Sequence, residues 1–153
     1  MKAQFNLNDY RQRVEVLIRK KNDFLVTINP SSKGTWYGLP GGGIDDGETL
    51  KGAAIRETLE EVGIAIKDLV YSGQTSIHDN KFEHYKGSIT YLFEAQFDRV
   101  DTSLFGIEGD EADVLWVSPE KASELIAASI MLNGGTGDHP LNALKKYTES
   151  KTV

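Results

Sequence analysis

Three glycines in a row, Gly41, Gly42 and Gly43, lie just ahead of a stretch with helical periodicity from Thr49 to Val62. A glycine run removes every Cβ from that piece of backbone, so side chains or ligands can approach it closely. Leu39-Pro40 before it cannot continue a helix, and Asp45-Asp46-Gly47 after it makes a turn. Asp46 and Glu48 then fall near the helix N-terminus, where negative charge is favourable. Loop and helix read as one unit, with backbone amides and carbonyls of the glycines turned inward.

At about 100° per residue, Ile55, Leu59 and Val62 form one apolar stripe, and Glu57, Glu60 and Glu61 gather on the opposite side. The expectation is a helix that buries the first face and binds with the second. Ala53 lies in the carboxylate arc, where a small side chain would admit a bulky ligand. Carboxylates at i, i+3 and i+4 cost a few tenths of a kcal/mol per pair unless something neutralises them. A hard cation does so: Mg²⁺ takes oxygen ligands, keeps several waters and is commonly held by a few carboxylates together with substrate phosphates. The competing reading is a solvated acidic face on an amphipathic helix. The glycine loop joined to the helix weighs against it.

Gly42, Glu48, Arg56, Glu57, Glu60, Glu61 and Gly63 stand at the spacing G-x5-E-x7-R-E-x2-E-E-x-G, followed by Ile64. At average residue usage, seven such matches arise by accident on the order of once in a million chains of this length. The stretch resembles the Nudix box, the signature of the Nudix hydrolase superfamily (MutT-like). Trp36-Tyr37-Gly38-Leu39-Pro40 and Leu115-Trp116-Val117-Ser118-Pro119-Glu120 extend the resemblance over nearly the whole chain. It implies an α/β Nudix fold, a mixed β-sheet sandwiched between helices, in one domain over residues 1–153. The implied activity is metal-dependent hydrolysis of a nucleoside diphosphate linked to another group, by attack of water at phosphorus. Thr58 departs from the family pattern, which usually has an aliphatic residue there. Its hydroxyl is expected to bond back to the Ala54 carbonyl at the edge of the apolar stripe.

The resemblance also implies roles. Glu57, Glu60 and Glu61 match metal-binding carboxylates, and the Gly41 carbonyl is a further ligand for Mg²⁺ or Mn²⁺. Glu48 and Arg56 match a pair that braces the loop against the helix. Glu57 is the first choice for the base, with Glu60, Arg56 and Glu48 completing the catalytic set. A late acidic loop often supplies one more ligand; Glu108, Asp110, Glu111 and Asp113 qualify, and Glu111 is chosen. Two alternatives share the scaffold. A nucleotide-binding sensor without turnover would be expected to lack some of these glutamates, and an isopentenyl diphosphate isomerase would carry a catalytic cysteine, of which this chain has none.

At 153 residues the chain is about one domain. The absence of cysteine excludes disulfides, thiolate metal sites and cysteine nucleophiles. A net charge of −6 argues against a broad duplex-binding surface, which needs Lys and Arg to replace counterions, but not against a nucleotide-type substrate. No apolar run reaches membrane-spanning length and no signal-peptide core is evident, so a cytoplasmic location is expected. A homodimer is one compatible assembly.

Patterning predicts strands at Val14–Ile18 and Phe24–Ile28 joined as a hairpin, within Ile66–Ile77, over His84–Phe97 and at Val114–Val117. Helices are predicted from Ser118-Pro119 to Ala128 and from Pro140 to Thr148. Trp36 and Tyr37 read as packing residues. Phe82, His84 and Tyr85, beside a polar turn, are the residues for base contact. His78 and His139 have no partners at metal spacing and read as surface residues.

Overall fold

The computed structural model describes residues 6–79, 81, 83–107, 109, 111–132 and 137–148. After a short 3-10 turn at Leu7–Asp9, the elements are β1 (Tyr10–Lys20), β2 (Asp23–Asn29), β3 (Trp36–Gly38), β4 (Gly41–Gly43) and α1 (Leu50–Val62). They continue with β5 (Ile64–His78), β6 (Gly87–Val100), β7 (Asp113–Val117), α2 (Pro119–Leu132) and α3 (His139–Thr148). The strands form one mixed sheet in the order β3-β2-β1-β6-β5, with β7 on β2 and β4 on β1. β1 and β6 are parallel; the other pairs are antiparallel.

Alternation of side chains along the strands builds two cores from one sheet. Val14, Val16 and Ile18 of β1, Leu25 of β2, and Phe93 and Ala95 of β6 pack with Ala53 and Ala54 of α1. Leu17, Phe24, Val26 and Leu92 point the other way, onto Ala122 and Ile126 of α2 and Ala143 and Leu144 of α3. Strands buried on both faces read as near-continuous apolar runs, as Val14–Ile18 and Phe24–Ile28 do. The sheet is therefore sandwiched between helices. None of the described helices is long and apolar enough to cross a membrane.

One irregularity places the site. β1 pairs with β2 only at its end, Arg19 with Phe24 and Lys20 with Asp23, across the turn at Lys21-Asn22. Its earlier residues are left to the glycines, with Glu15 opposite Gly41, Val14 opposite Gly42 and Arg13 opposite Gly43. The glycine run expected as a loop is thus a short strand, because β1 offers it a free edge. The other expected elements are present with shifted or longer bounds, and His84 falls outside β6, which runs from Gly87 to Val100.

α1 corrects the helix reading. Ile55 is 44% exposed, while Ala53, Ala54, Thr58, Glu57 and Glu60 are all buried. The carboxylates turn inward with the small residues, and Ile55 does not join the buried face. Ala53 packs into the core and admits no ligand. Small side chains let the helix lie close to the sheet, which brings its carboxylates under the glycine strand. Thr58 is wholly buried, and its hydroxyl bonds the carbonyls of Ala54 at 3.1 Å and Ile55 at 2.9 Å. That satisfies the polar atom within the helix.

The ends of α1 are defined locally. The Thr49 hydroxyl accepts from the Gly52 amide at 2.9 Å, an N-cap. Gly63 closes the helix at φ 67°, with its amide on the Leu59 carbonyl, and the chain turns directly into β5. A Cβ there would also meet Phe105 and Thr102 at 3.4 Å. Gly63→Ala should therefore lower stability by about 1–2 kcal/mol, the cost of a left-handed non-glycine residue. Urea unfolding that gave an unchanged midpoint would contradict this account of the cap.

Candidate active site

Arg56 is the centre of the site. Its Nε donates to Glu48 at 2.7 Å and its Nη2 to the same carboxylate at 2.9 Å, a bidentate pair. Nη1 donates to Glu57 at 3.0 Å and Glu60 at 3.1 Å, and Nη2 also reaches the Gly43 carbonyl at 3.0 Å. One guanidinium thus ties the loop before the helix, two helix carboxylates and the glycine strand together. Glu48 accepts in addition from the Asp45 amide at 3.0 Å, which closes the Asp45–Glu48 turn. The hydrogen bonds from Arg56 hold the Glu48 carboxyl below the usual carboxylate range, and Glu48 in turn raises the guanidinium further above its own.

The glycine strand serves both of its faces. At Gly42 a Cβ would stand 2.6 Å from Oε2 of Glu57, so this carboxylate lies directly against the backbone. At Gly41 and Gly43 the missing Cβ leaves room instead for Glu15 and Arg11 of β1, at 2.9 and 2.7 Å. The Gly41 amide donates to Oε2 of Glu61 at 3.0 Å. A side chain at Gly41 would meet the β1 backbone and one at Gly42 the Glu57 carboxylate, whereas at Gly43 it would meet only the end of the Arg11 side chain.

Two cavities flank the strand. One, of about 520 Å³, is lined by Arg11, Gln12, Gly43, Asp45, Arg56, Glu57, Glu60, Glu83 and Tyr85. Its four carboxylates outnumber its two arginines by two charges. The other, of about 200 Å³, has Trp36, Tyr37, Leu39, Ile126 and Pro140 in its walls, with Arg13, Glu15, Glu61 and His139 as charged or titratable groups. The predicted carboxylates are therefore divided: Glu57 and Glu60 share the acidic cavity, and Glu61 with Gly41 lines its neighbour. Among the described residues no three His, Asp or Glu side chains form a ready metal cage. The acidic cavity still fits a divalent cation, through its excess of two negative charges and its hard oxygen donors. Mg²⁺ needs only one or two carboxylates when phosphates complete its shell.

Of the residues named for base contact, Tyr85 lines the acidic cavity. His84 is exposed, with its ring 4.0 Å from that of Tyr85, and Phe82 lies outside the described residues. Glu111 lines a third cavity with Trp36, Phe105 and Asp113, whereas Glu57 and Glu60 line the acidic one. Glu108 and Asp110 lie outside the described residues. The loop carrying Glu111 is nonetheless tied to α1: the Gly106 amide donates to the Glu60 carbonyl at 2.8 Å and the Ala112 amide to the Glu61 carbonyl at 2.9 Å. These bonds satisfy carbonyls that every helix end leaves over.

Sequence reading missed Arg11, Arg13, Glu15 and His139. The first three share one phase of β1, opposite Val14 and Val16, a charged row that alternation could have marked as facing a cleft. His139 is not a surface residue. It is 9% exposed, and its Nε2 bonds Glu15 across the smaller cavity, because α3 packs its first turn against the sheet. His78 is half-buried at the end of β5.

The depressed Glu48 pKa gives the brace a pH signature. Its stabilisation is present above the ordinary value near 4.5 and is lost as pH falls through the lower folded value. Glu48→Gln should cost on the order of 1 kcal/mol at neutral pH and lose less than the native chain on acidification below 4.5. Parallel acid limbs in urea melts of the two proteins would refute the assignment.

A model of the NUDIX domain family matches residues 9–132. The NAD-capped RNA hydrolase NudC of Chromobacterium violaceum is 33% identical over 101 residues, 66% of this chain and 35% of that protein. An RNA pyrophosphohydrolase of Wolbachia sp. subsp. Brugia malayi is 34% identical over 71 residues, 46% of this chain and 44% of that protein. The chain thus spans less than half the length of these curated relatives. Among solved structures, a NUDIX hydrolase from Nitrosomonas europaea superposes with a TM-score of 0.62 at 18% identity, covering 94% of this chain and 92% of that one. With the family model matched across most of its length, and with the glycine strand, the Arg56 brace and the inward carboxylates assembled on this sheet, the chain belongs to the NUDIX domain family.

Proposed function

We infer that this chain is a metal-dependent pyrophosphohydrolase that adds water across the phosphoanhydride of a nucleoside diphosphate derivative. The observation that carries this reading is the acidic cavity, in which buried Glu57 and Glu60 share one guanidinium beside the glycine strand. The activities named for the two curated relatives described above, hydrolysis of NAD-capped RNA and RNA pyrophosphohydrolysis, support the same reaction class. Nucleoside triphosphates, oxidised nucleotides, ADP-ribose, nucleotide sugars and capped RNA all carry the required linkage.

Glu57 and Glu60 are the side chains to hold Mg²⁺ or Mn²⁺, with Glu61 and the Gly41 carbonyl contributing from the neighbouring cavity and Glu111 from its loop. Bound there, the cation would neutralise phosphate oxygens and lower the pKa of water. The chain supplies the rest. Glu57 takes the proton of the attacking water on a carboxylate oxygen. Arg56 holds Glu57 and Glu60 at a fixed separation, and Glu48 holds Arg56. Tyr85 walls the acidic cavity, and the smaller cavity, lined by Trp36 and Tyr37, takes the other end of the substrate.

The deciding experiment is a panel of these compounds in ¹⁸O-labelled water with Mg²⁺ or Mn²⁺. One product phosphate should carry the label. Nucleotide binding without turnover across the whole panel would instead mark a sensor. Metal-stripped protein in excess EDTA should be inactive, and undiminished hydrolysis there would exclude the mechanism. Glu57→Gln should fold normally and lower turnover by about 10²-fold or more; near-normal turnover would move the base to Glu60 or Glu61.

A further inference from the structure

A guanidinium has five N–H groups, and Arg56 directs all five at the protein. One from Nε and one from Nη2 go to Glu48, two from Nη1 go to Glu57 and Glu60, and the last from Nη2 goes to the Gly43 carbonyl. None is left for a phosphate oxygen. Among the described residues lining the acidic cavity the other Lys or Arg is Arg11, half-buried on β1.

We propose that Arg11 is the phosphate-orienting residue of the acidic cavity, its guanidinium taking non-bridging oxygens of the substrate's phosphate chain. The identity of the ligand rests on the pyrophosphohydrolase reading; the choice of Arg11 rests on its placement. Gly43 lies between the two guanidiniums. Arg56 bonds its carbonyl, and on the other side a Cβ would stand 2.7 Å from Nη2 and 3.2 Å from Cζ and Nε of Arg11. Arg11 therefore lies over the bare backbone of Gly43, a position that any side chain there would deny it. The strand beneath is anchored, since the Ile44 amide donates to the Gln12 carbonyl at 3.1 Å. A fork of donors held at the rim of a carboxylate-lined cavity suits a phosphate, which Arg can bind in bidentate fashion and Lys only as a point charge.

The test uses calorimetric binding of inorganic pyrophosphate in Mg²⁺ buffer, together with steady-state kinetics on the compounds that the native chain hydrolyses. Arg11→Gln should raise the pyrophosphate Kd and the substrate KM by about tenfold to a hundredfold, with a smaller change in kcat. Arg11→Lys should recover part of the loss. Gly43→Ala keeps the carbonyl bonded to Arg56 and displaces only the flexible end of Arg11, so it should weaken pyrophosphate binding in the same direction with little change in melting temperature. Hydrolysis by the native chain with pyrophosphate affinity unchanged in Arg11→Gln would overturn the proposal and leave the hydrolase reading standing. Arg11-dependent pyrophosphate binding with no turnover of any compound would do the reverse. A native chain that binds no pyrophosphate would overturn the role of Arg11.

Discussion

Everything at this site depends on the way Arg56 gathers carboxylates. Burying Glu57 and Glu60 costs several kcal/mol per ion, and this is offset only where geometry is good and the charges are hydrogen-bonded. Arg56 meets that condition by bonding both and by anchoring itself on Glu48 outside the helix. A buried ion network is weak evidence for stability as such. Its consequence here is positional: helix, turn and glycine strand cannot shift relative to one another without breaking a charged hydrogen bond.

The glycine strand makes the second half of that arrangement possible. A sheet normally spaces its neighbours by side chains on both faces. Without them, Glu57 lies on one face of the strand and Arg11 and Glu15 lie on the other, so groups from α1 and β1 are separated by little more than one backbone. Two cavities of different character result, one polar and acidic, the other walled largely by Trp36, Tyr37 and Leu39.

The irregular edge of β1 connects fold and site. Because β2 departs after the hairpin, part of β1 is open, and β4 pairs there. The late loop adds its amides to the carbonyls of Glu60 and Glu61 at the end of α1, so a segment distant in sequence holds that end of the helix. The carboxylates owe their orientation to these contacts more than to helix propensity.

Local rules were enough for the main elements. The apolar runs at Val14–Ile18 and Phe24–Ile28 depend on neighbours a few residues away and are found as strands, while the pairing of Glu48 with Arg56, which the family resemblance implied, is found as a bidentate ion pair. The direction in which α1 faces was not legible. Periodicity divides a helix into two sides without saying which one meets the sheet, and here Ala53, Ala54 and Thr58 set a close approach that carries the carboxylates inward and leaves Ile55 outside. The partition of Glu57 and Glu60 from Glu61, the burial of His139 against Glu15 and the seat of Arg11 over Gly43 likewise depend on elements far apart in the chain. The residue types and their spacing were determined by the sequence alone; which of them share a cavity was decided by the tertiary structure, because the glycine strand brings Arg11 of β1 and Glu57 of α1 to one cavity at its Gly43 end and Glu15 of β1 and Glu61 of α1 to the other at its Gly41 end.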